Sequence, residues 1–492
     1  MKKIQSLDCT LRDGGYYTNW NFDDNFVQNY IAAIKKTDID YIEIGYLSHD
    51  LNDQFGLFYN LDKDTVKFFS KAKKKIAVMI NAKEWYDNII ILKKRLNSLS
   101  NIVNLVRITV DIKSLNQYSE LLYQINKFPI PCAINLMYSH KFLNFLDYEK
   151  DLSYLCNFNF EYLNIVDSYG CLEPKQVSLI FNQIKKISNK KILGFHGHNN
   201  LQLALANSIT ALENGAKIID HTFTGIGRGA GNLQTELFLS YKRSINFHNI
   251  SFIDKICTLT KNLVETKHQW GTSIPYMLSG IYKQPQKQIM DLILLNRYDP
   301  TSFLENFQKG KIIIPKFELQ KIENSKFIVI GGGKNIISIE KVINSNYFKK
   351  EHSIFFLGIK NYKPINKKHF VILSYKDFNI NNIKLLNTHA SIITDRKYIN
   401  KSITKCRIYN IFDEKFLYSP LSIFFLALNK KRNSKIYFLF LDGYKQSNLH
   451  KENKEILEYF RLKQKYDYRF LTKNSYFESQ KNQMNIFELI NS

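Results

Sequence analysis

Leu7-Asp8-Cys9-Thr10-Leu11-Arg12-Asp13-Gly14-Gly15 starts apolar and closes on an arginine–aspartate pair and two glycines. A β-rich run over 4–9 leads into it, and a helix-period segment over 25–36 follows. A strand that ends in chemically competent residues and then gives way to a helix is the opening unit of a parallel α/β fold. The same event recurs down the chain. β-rich runs fall at 4–9, 41–46, 76–80, 103–110, 131–137, 162–167, 192–198 and 217–223, eight in all and 25–37 residues apart. Segments such as 201–214 carry helical period between them. Eight such units match a (β/α)8 TIM barrel. A doubly wound open sheet shares the alternation, but polar residues at the C-terminal ends of many strands favour the barrel, whose sites are built there.

Outside the barrel region the sequence changes character. Residues 251–322 read as helical, and a smaller α/β domain follows, with β-like runs at 326–330, 353–357, 369–373, 390–394 and 436–441. The charged stretch 451–492 reads as helix. The expected domains are therefore 1–250, 251–322 and 323–492, consistent with 492 residues at roughly 100–200 per domain. The 326–330 run enters Gly331-Gly332-Gly333-Lys334-Asn335-Ile336, which lacks the third glycine of a dinucleotide fingerprint, so a tight turn is the simpler reading over a nucleotide site. Leu441-Asp442-Gly443-Tyr444 adds a carboxylate at another strand end.

Composition narrows the class. With 45% hydrophobic and 23% charged residues the chain is globular, not disordered. One of its longest mostly apolar runs, 421–428, is far short of a membrane span, and the N-terminus meets a charge too early for a signal peptide. The six cysteines form no C-x-x-C pair, and scattered thiols fit a reducing compartment. A cytoplasmic location and no membrane partner are expected. The net charge of +25 is concentrated in 301–492, which holds 34 basic against 16 acidic side chains. Lysine dominates, 58 against 11 arginines, so a solvated lysine surface is a simpler account than phosphate binding, and no nucleic-acid partner is expected.

The chemistry is carried by two strand ends. Residues two apart on a strand point the same way, so His196 and His198 in Gly194-Phe195-His196-Gly197-His198-Asn199-Asn200 offer two imidazoles to one ion. Strands seven, eight and one are consecutive in a closed barrel, which brings Asp13 beside them. Two histidines and a carboxylate leave open positions for substrate oxygens. The run Gly225-Ile226-Gly227-Arg228-Gly229-Ala230-Gly231-Asn232 after strand eight is either a phosphate loop or a plain glycine turn.

Together T-L-R-D-G, the E-x-G of Glu43-Ile44-Gly45, H-x-H-N-N and G-x-G-x-G-A-G-N resemble the DRE-TIM metallolyase superfamily over roughly residues 4–240. The resemblance implies an Asp-Arg-Glu triad at Asp13, Arg12 and Glu43. It implies metal ligands at Asp13, His196 and His198, with Asn232 matching an asparagine that joins the metal shell in some members. A divalent ion, Mn2+ or Mg2+, is the implied cofactor. His196-Gly197-His198-Asn199-Asn200-Leu201 with Ala206-Asn207-Ser208 most resembles the 4-hydroxy-2-oxovalerate aldolase-like branch. That branch implies a pyruvate-type enolate, with a 2-oxoacid and an aldehyde, here a sugar aldehyde, as small-molecule partners, in a homodimer. The alternatives are a Claisen-type acyl transferase using acetyl-CoA, and a non-catalytic metal-barrel scaffold that channels substrate to a partner.

One position departs from the branch: its catalytic histidine, three residues after the motif aspartate, is Tyr16 here. Tyr16 is a proton relay or a substrate hydrogen-bonder, and His49 and His140 are substitute acid–base candidates. The aromatic, amide-rich run from Tyr16 to Phe22 suggests an altered acceptor pocket. Arg107, Asp111, Asn135, Asp167 and Ser168 near strand ends are candidates for lining it, with Arg12 as a further substrate contact.

Overall fold

A computed structural model describes residues 4–49, 55–125, 127–188, 191–245, 248–263 and 270–295, and shorter stretches beyond, chiefly 326–333, 339–345, 352–365, 368–374, 380–386, 388–395, 406–410, 419–428, 434–441, 448–462 and 467–471. The chain divides into two compact units, Met1–Asp291 and Leu292–Ser492. In the first, eight parallel strands close into a barrel: β1 (Gln5–Asp8), β2 (Tyr41–Tyr46), β3 (Lys75–Asn81), β4 (Leu105–Val110), β5 (Cys132–Leu136), β6 (Tyr162–Asp167), β7 (Ile192–Gly197) and β8 (Ile218–His221). Closure is made by β1, which pairs Leu7 with Tyr41 of β2 on one side and with Asp220 of β8 on the other. These strands are buried on both faces, which is why they read as nearly continuous apolar runs.

The helices outside the barrel are set by local signals. Asp23 caps Asp24–Lys35 by accepting from the Phe26 N–H, and the buried Phe26, Val27, Tyr30, Ile31 and Ile34 form the face turned to the barrel. A capping box between Glu173 and Gln176 starts Pro174–Ile187. Inside the lumen, Leu7, Cys9, Tyr41, Ala77, Leu105, Ala133, Tyr162 and Ile218 pack into one buried layer that closes the N-terminal end. The lumen is plugged below, so a cavity can open only at the C-terminal ends.

The segment expected as a separate helical extension is divided by the fold. Helices Ile250–Asn262 and Ile274–Ile281 belong to the barrel's unit. The physical reason is burial: Ile253 and Ile256 pack inward on the first of them, which lies against Asp24–Lys35, and Tyr276 and Ser279 are buried on the second.

The second unit holds a seven-stranded parallel sheet in the order Arg407–Asn410, Ala390–Thr394, His369–Ile372, His352–Leu357, Lys326–Ile330, Lys435–Leu439, Asp467–Phe470. Alternate residues of the central strand feed two cores, Phe327 and Val329 on one face and Ile328 and Ile330 on the other. Pro420–Leu428, apolar nearly all round, is buried in the first of these. The charged tail expected as helix is helical over Asn448–Leu462 and then turns into the edge strand Asp467–Phe470, whose burial alternates residue by residue. Gly331 sits where a Cβ would press on the Phe440 carbonyl at 2.7 Å, and Asn361 donates to the carbonyls of Gly331 and Gly333, so this end of the glycine run is a packed turn. Lys334, Asn335, Ile336, Asp442, Gly443 and Tyr444 lie outside the described residues. Among the described residues no helix is long and apolar enough to cross a membrane.

Candidate active site

The site is anchored from below by Asp8, fully buried at the end of β1. Its carboxylate accepts from Thr10 N at 3.0 Å and from the hydroxyls of Tyr30 and Thr235, each at 2.8 Å. This fixes the sharp exit from β1 into the short turn Thr10–Asp13, where Arg12 and Asp13 are both buried. The Trp20 indole donates to the Arg12 carbonyl at 2.8 Å and holds the same turn from the other side.

From there six ionisable side chains form a closed ring. Arg12 donates from Nη1 to Asp13 Oδ1 and from Nε to Glu43 Oε2, both at 2.8 Å. Arg107, wholly buried, donates to the same Glu43 oxygen at 3.1 Å and to Asp220 Oδ2. Asp220 Oδ2 in turn accepts from His196 Nδ1 at 3.0 Å, and His196 Nε2 faces Asp13 Oδ2 at 3.6 Å. Burial alone would raise both carboxyls. For Asp13 the Arg12 guanidinium, with His198 and His196, more than reverses this and holds it well below the usual carboxylate range. For Asp220, Arg107 and His196 pull it down to about 2.

His198 completes the group. Its Nδ1 donates to the Gly231 carbonyl at 3.2 Å, and burial drives the ring's pKa well below its ordinary value, so it is a neutral imidazole with Nε2 available. Gly231 reaches this place through a left-handed conformation, φ +85°, where a Cβ would also collide with the Gly225 carbonyl. A backbone bridge between His198 and Asn232 carries Asn232 to the group, and its amide donates to Asp13 Oδ2 at 2.5 Å. A side chain at Gly227 would collide with that amide. The glycine run is therefore a turn shaped to seat Asn232.

The residues fit a divalent ion. One atom each of Asp13, His196 and His198 lie within 4.8 Å of one another. Both imidazoles have Nδ1 committed to an acceptor, which fixes their orientation and leaves Nε2 as the ligand atom. Among the described residues Asn232 Oδ1 is buried without a hydrogen-bond partner, an oxygen that a cation would satisfy. Cys9, His196 and Asp220 also cluster, but there His196 Nδ1 and Asp220 Oδ2 are bonded to each other and the Cys9 thiol donates to the His221 carbonyl at 3.5 Å.

Above the group opens a cavity of about 390 Å³, lined by Arg12, Tyr16, Tyr46, Asn135, Tyr138, His196, His198 and Arg228, with Asn81, Thr109, Asp111, Ser114 and Gln117 on the β3–β4 side. Tyr16 stands 3.3 Å from the Tyr46 hydroxyl and packs edge-on against Trp20. Asn135 accepts from Asn164 at 2.9 Å, and Asp111 is paired with Lys141 at 2.9 Å. Other expected pocket residues lie elsewhere. Arg107 is beneath the cavity in the ring. Asp167 is buried, accepting from the backbone of Cys171 and Leu172, and burial raises it to about 6. Ser168 accepts from Tyr138 N. His49 rests against Trp85 and His140 against Tyr169, and neither is among the cavity-lining residues.

Two contributors escaped the sequence reading. Asp220 sits in the short run Ile218-Ile219-Asp220-His221, where nothing local marks it; only the pairing of β8 with β1 reveals its place. The helices after the barrel also reach the site. Asn200 donates to the Tyr276 carbonyl at 2.8 Å and accepts from Gln286 at 2.6 Å, while the Tyr17 hydroxyl donates to the Gly229 carbonyl at 2.9 Å. Tyr17 also meets the Tyr276 hydroxyl at 3.1 Å and Gly229 N donates to Met290 Sδ at 3.2 Å, so both metal-side loops are bonded to 276–290.

A (β/α)8 barrel with two histidines and an aspartate at the mouth of its lumen is a metalloenzyme scaffold. The pattern of the HMGL-like family matches residues 3–249, and the chain belongs to that family. It is 26% identical over 298 residues to the 4-hydroxy-2-oxovalerate aldolase of Moorella thermoacetica, spanning 57% of this chain and 84% of the relative. It is 26% identical over 246 residues to the oxaloacetate decarboxylase of Mycobacterium tuberculosis, spanning 48% and 68%. The crystal structure of the N-terminal domain of a candidate aldolase from Bacteroides vulgatus is 36% identical, with a TM-score of 0.55, and covers 61% of this chain and 99% of that one. The aldolase relatives are lyases.

Proposed function

We propose that this chain is a divalent-metal-dependent aldolase that makes or breaks a carbon–carbon bond through the enolate of pyruvate, or of a related 2-oxoacid, with an aldehyde as the other reactant. The observation that carries the reading is the Asp13–His196–His198 group beside Arg12 at the floor of an open cavity. The names of two relatives fit the same chemistry. Cleaving a 4-hydroxy-2-oxoacid and decarboxylating oxaloacetate both leave pyruvate enolate behind.

Asp13, His196, His198 and the Asn232 side-chain oxygen would hold Mg2+ or Mn2+, and a bound ion supplies Lewis-acid polarisation of the keto oxygen. Arg12 supplies the fixed positive charge. Its Nε and Nη1 are committed to Glu43 and Asp13, which orients Nη2 as a donor to the oxygen on which negative charge develops. Glu43 holds that guanidinium, and Arg107 and Asp220 hold Glu43 and His196 in turn. Tyr16, at the cavity wall and beside the Tyr46 hydroxyl, relays the proton of the aldol hydroxyl: in cleavage its oxygen accepts that proton while its own passes to solvent in the cavity, and in synthesis the relay runs in reverse. Asn135 contacts the substrate from the β5 side. The amide and hydroxyl groups on the β3–β4 side suit a polyhydroxylated aldehyde.

The test is proton–deuterium exchange at the pyruvate methyl group, followed by NMR with Mg2+ or Mn2+ present. Exchange that stops on chelation is the expected result. Absence of exchange with the ion bound, shown by calorimetry, would overturn the reading, and thiol release from acetyl-CoA would put an acyl transferase in its place.

A further inference from the structure

Three guanidiniums sit at the C-terminal end of the barrel lumen, and two are held by carboxylates: Arg12 by Asp13 and Glu43, Arg107 by Glu43 and Asp220. The third is not. Arg228, in the loop after β8, lines the cavity, yet among the described residues its guanidinium makes neither an ion pair nor a hydrogen bond, and its Nε is buried without a partner. Its position is held from both directions. The head group lies over the Tyr16 ring, with Cζ 5.2 Å from the centroid. Its carbonyl accepts from Gly231 N at 3.2 Å, and the adjoining Gly229 is bound by Tyr17 and by Met290 Sδ.

Among the described residues this ordered, half-buried fork meets no protein acceptor, and such a fork matches the geometry of a carboxylate or phosphate. The charges around it say for what. The cations lining the cavity are Arg12, Lys83 and Arg228, whereas the acid on the far wall, Asp111, is already paired with Lys141. The mouth is therefore positive beyond what the proposed metal group and Arg12 use on a 2-oxoacid. Pyruvate is also far smaller than the 390 Å³ available, so the cavity accommodates a longer skeleton.

We infer that Arg228 receives a second oxyanion, a carboxylate or phosphate, on the end of the substrate remote from the 2-oxoacid group. The inference rests on the aldolase reading and narrows it: the substrate pair carries at least one more negative charge than pyruvate alone. That charge belongs either to the far end of the aldehyde or to the second carboxylate of a donor such as oxaloacetate.

Both sources are tested with Arg228→Gln and the charge-keeping Arg228→Lys, each checked by circular dichroism. Condensation with pyruvate compares D-glyceraldehyde 3-phosphate with D-glyceraldehyde, and succinic semialdehyde with propanal; a second arm follows oxaloacetate decarboxylation. Wild type should prefer the anionic aldehyde, or process oxaloacetate, and Arg228→Gln should lower kcat/KM for that substrate on the order of 10- to 100-fold more than for the neutral one. Arg228→Lys should recover part of the difference. A loss in the aldehyde arm assigns the oxyanion to the acceptor, and a loss in the oxaloacetate arm assigns it to the donor. Equal loss for charged and neutral substrates, or none, would overturn the inference. Melting of the metal-free protein with and without D-glyceraldehyde 3-phosphate separates this failure from that of the aldolase reading. Stabilisation of wild type but not of Arg228→Gln supports the receptor even where pyruvate does not exchange, and equal melting of the two overturns it.

Discussion

At the floor of the barrel cavity the carboxylates and guanidiniums are joined in ion pairs, whereas at its mouth the Arg228 guanidinium, among the described residues, makes neither an ion pair nor a hydrogen bond. The floor is drawn from β2, β4, β7, β8 and the turn after β1, so each member of the ring Asp13–Arg12–Glu43–Arg107–Asp220–His196 is fixed by backbone that the barrel itself fixes. A buried ion network of this kind adds little net stability, because desolvation offsets the attraction. What it adds is position: the imidazoles and Arg12 are oriented by their hydrogen bonds before any substrate arrives. The mouth is built of phenols, amides and hydroxyls at strand ends, such as Tyr46, Asn81 and Thr109, and in the segments that follow them, such as Tyr16, Ser114 and Tyr138, and there selectivity can change without disturbing the floor. A change at the floor should thus cost the reaction or the fold, and one at the mouth should cost choice of partner.

The sharpest break is His198→Ala. It removes a neutral imidazole ligand and leaves the Gly231 carbonyl that oriented it. Metal-dependent methyl exchange should fall by at least ~10^3-fold, the scale of the charge stabilisation a catalytic ion supplies, with the barrel's circular dichroism retained. A wild-type rate with this variant would remove His198 from the ion. Next comes Arg107→Met, which removes the cation shared by two buried carboxylates and leaves Glu43 with Arg12 alone and Asp220 with His196 alone. Urea unfolding should show a loss of about 3–5 kcal/mol. Unchanged stability, with a raised KM for the 2-oxoacid, would instead return Arg107 to direct substrate binding.

These two variants also mark how far the sequence could be read. His198 was legible because an H-x-H at a strand end forces two imidazoles onto one side, and Asp13 followed from the closure of strands seven, eight and one. Arg107 was visible as a polar residue in an apolar strand, but its direction was not. Whether it rises to the cavity or stays below depends on the stagger between β4 and β8, a quantity set by closure of the whole sheet. Asp220 was hidden for the same reason, as was the bonding of the Asn200 loop to helices some eighty residues away. In the second unit the central strands were legible from their apolar runs, whereas Asp467–Phe470 has polar residues on its exposed side and was absorbed into a charged helix.

A smaller effect within the floor should come from Arg12→Lys. The ammonium keeps the charge but loses the planar fork that binds Asp13 and Glu43 while presenting Nη2. We expect kcat to fall on the order of 10^2-fold, as for loss of one oxyanion donor, and a rate near wild type in steady-state assays would remove Arg12 from charge stabilisation.

The smallest effect is expected outside the cavity, at His140, and it separates a buried histidine from a catalytic one. Burial, reinforced by Lys283 and Lys141, lowers its pKa from 6.5 to about 4. The folded protein therefore keeps this ring neutral while the unfolded chain takes up a proton as the pH falls through 6.5. Between those two values the unfolded state binds more protons, so stability declines with acidification, and the decline is complete once the folded ring also protonates near pH 4. The ring is partly open to solvent, so after screening the contribution is about 1–2 kcal/mol. His140→Asn removes the titration and should flatten the stability curve over that window, read by urea unfolding at stepped pH. Because His140 packs on Tyr169 and does not line the cavity, the pH dependence of kcat should keep its shape in the same variant. A lost limb in that profile would move acid–base chemistry from Tyr16 at the mouth to His140 and redraw the boundary between the region that reacts and the region that merely folds.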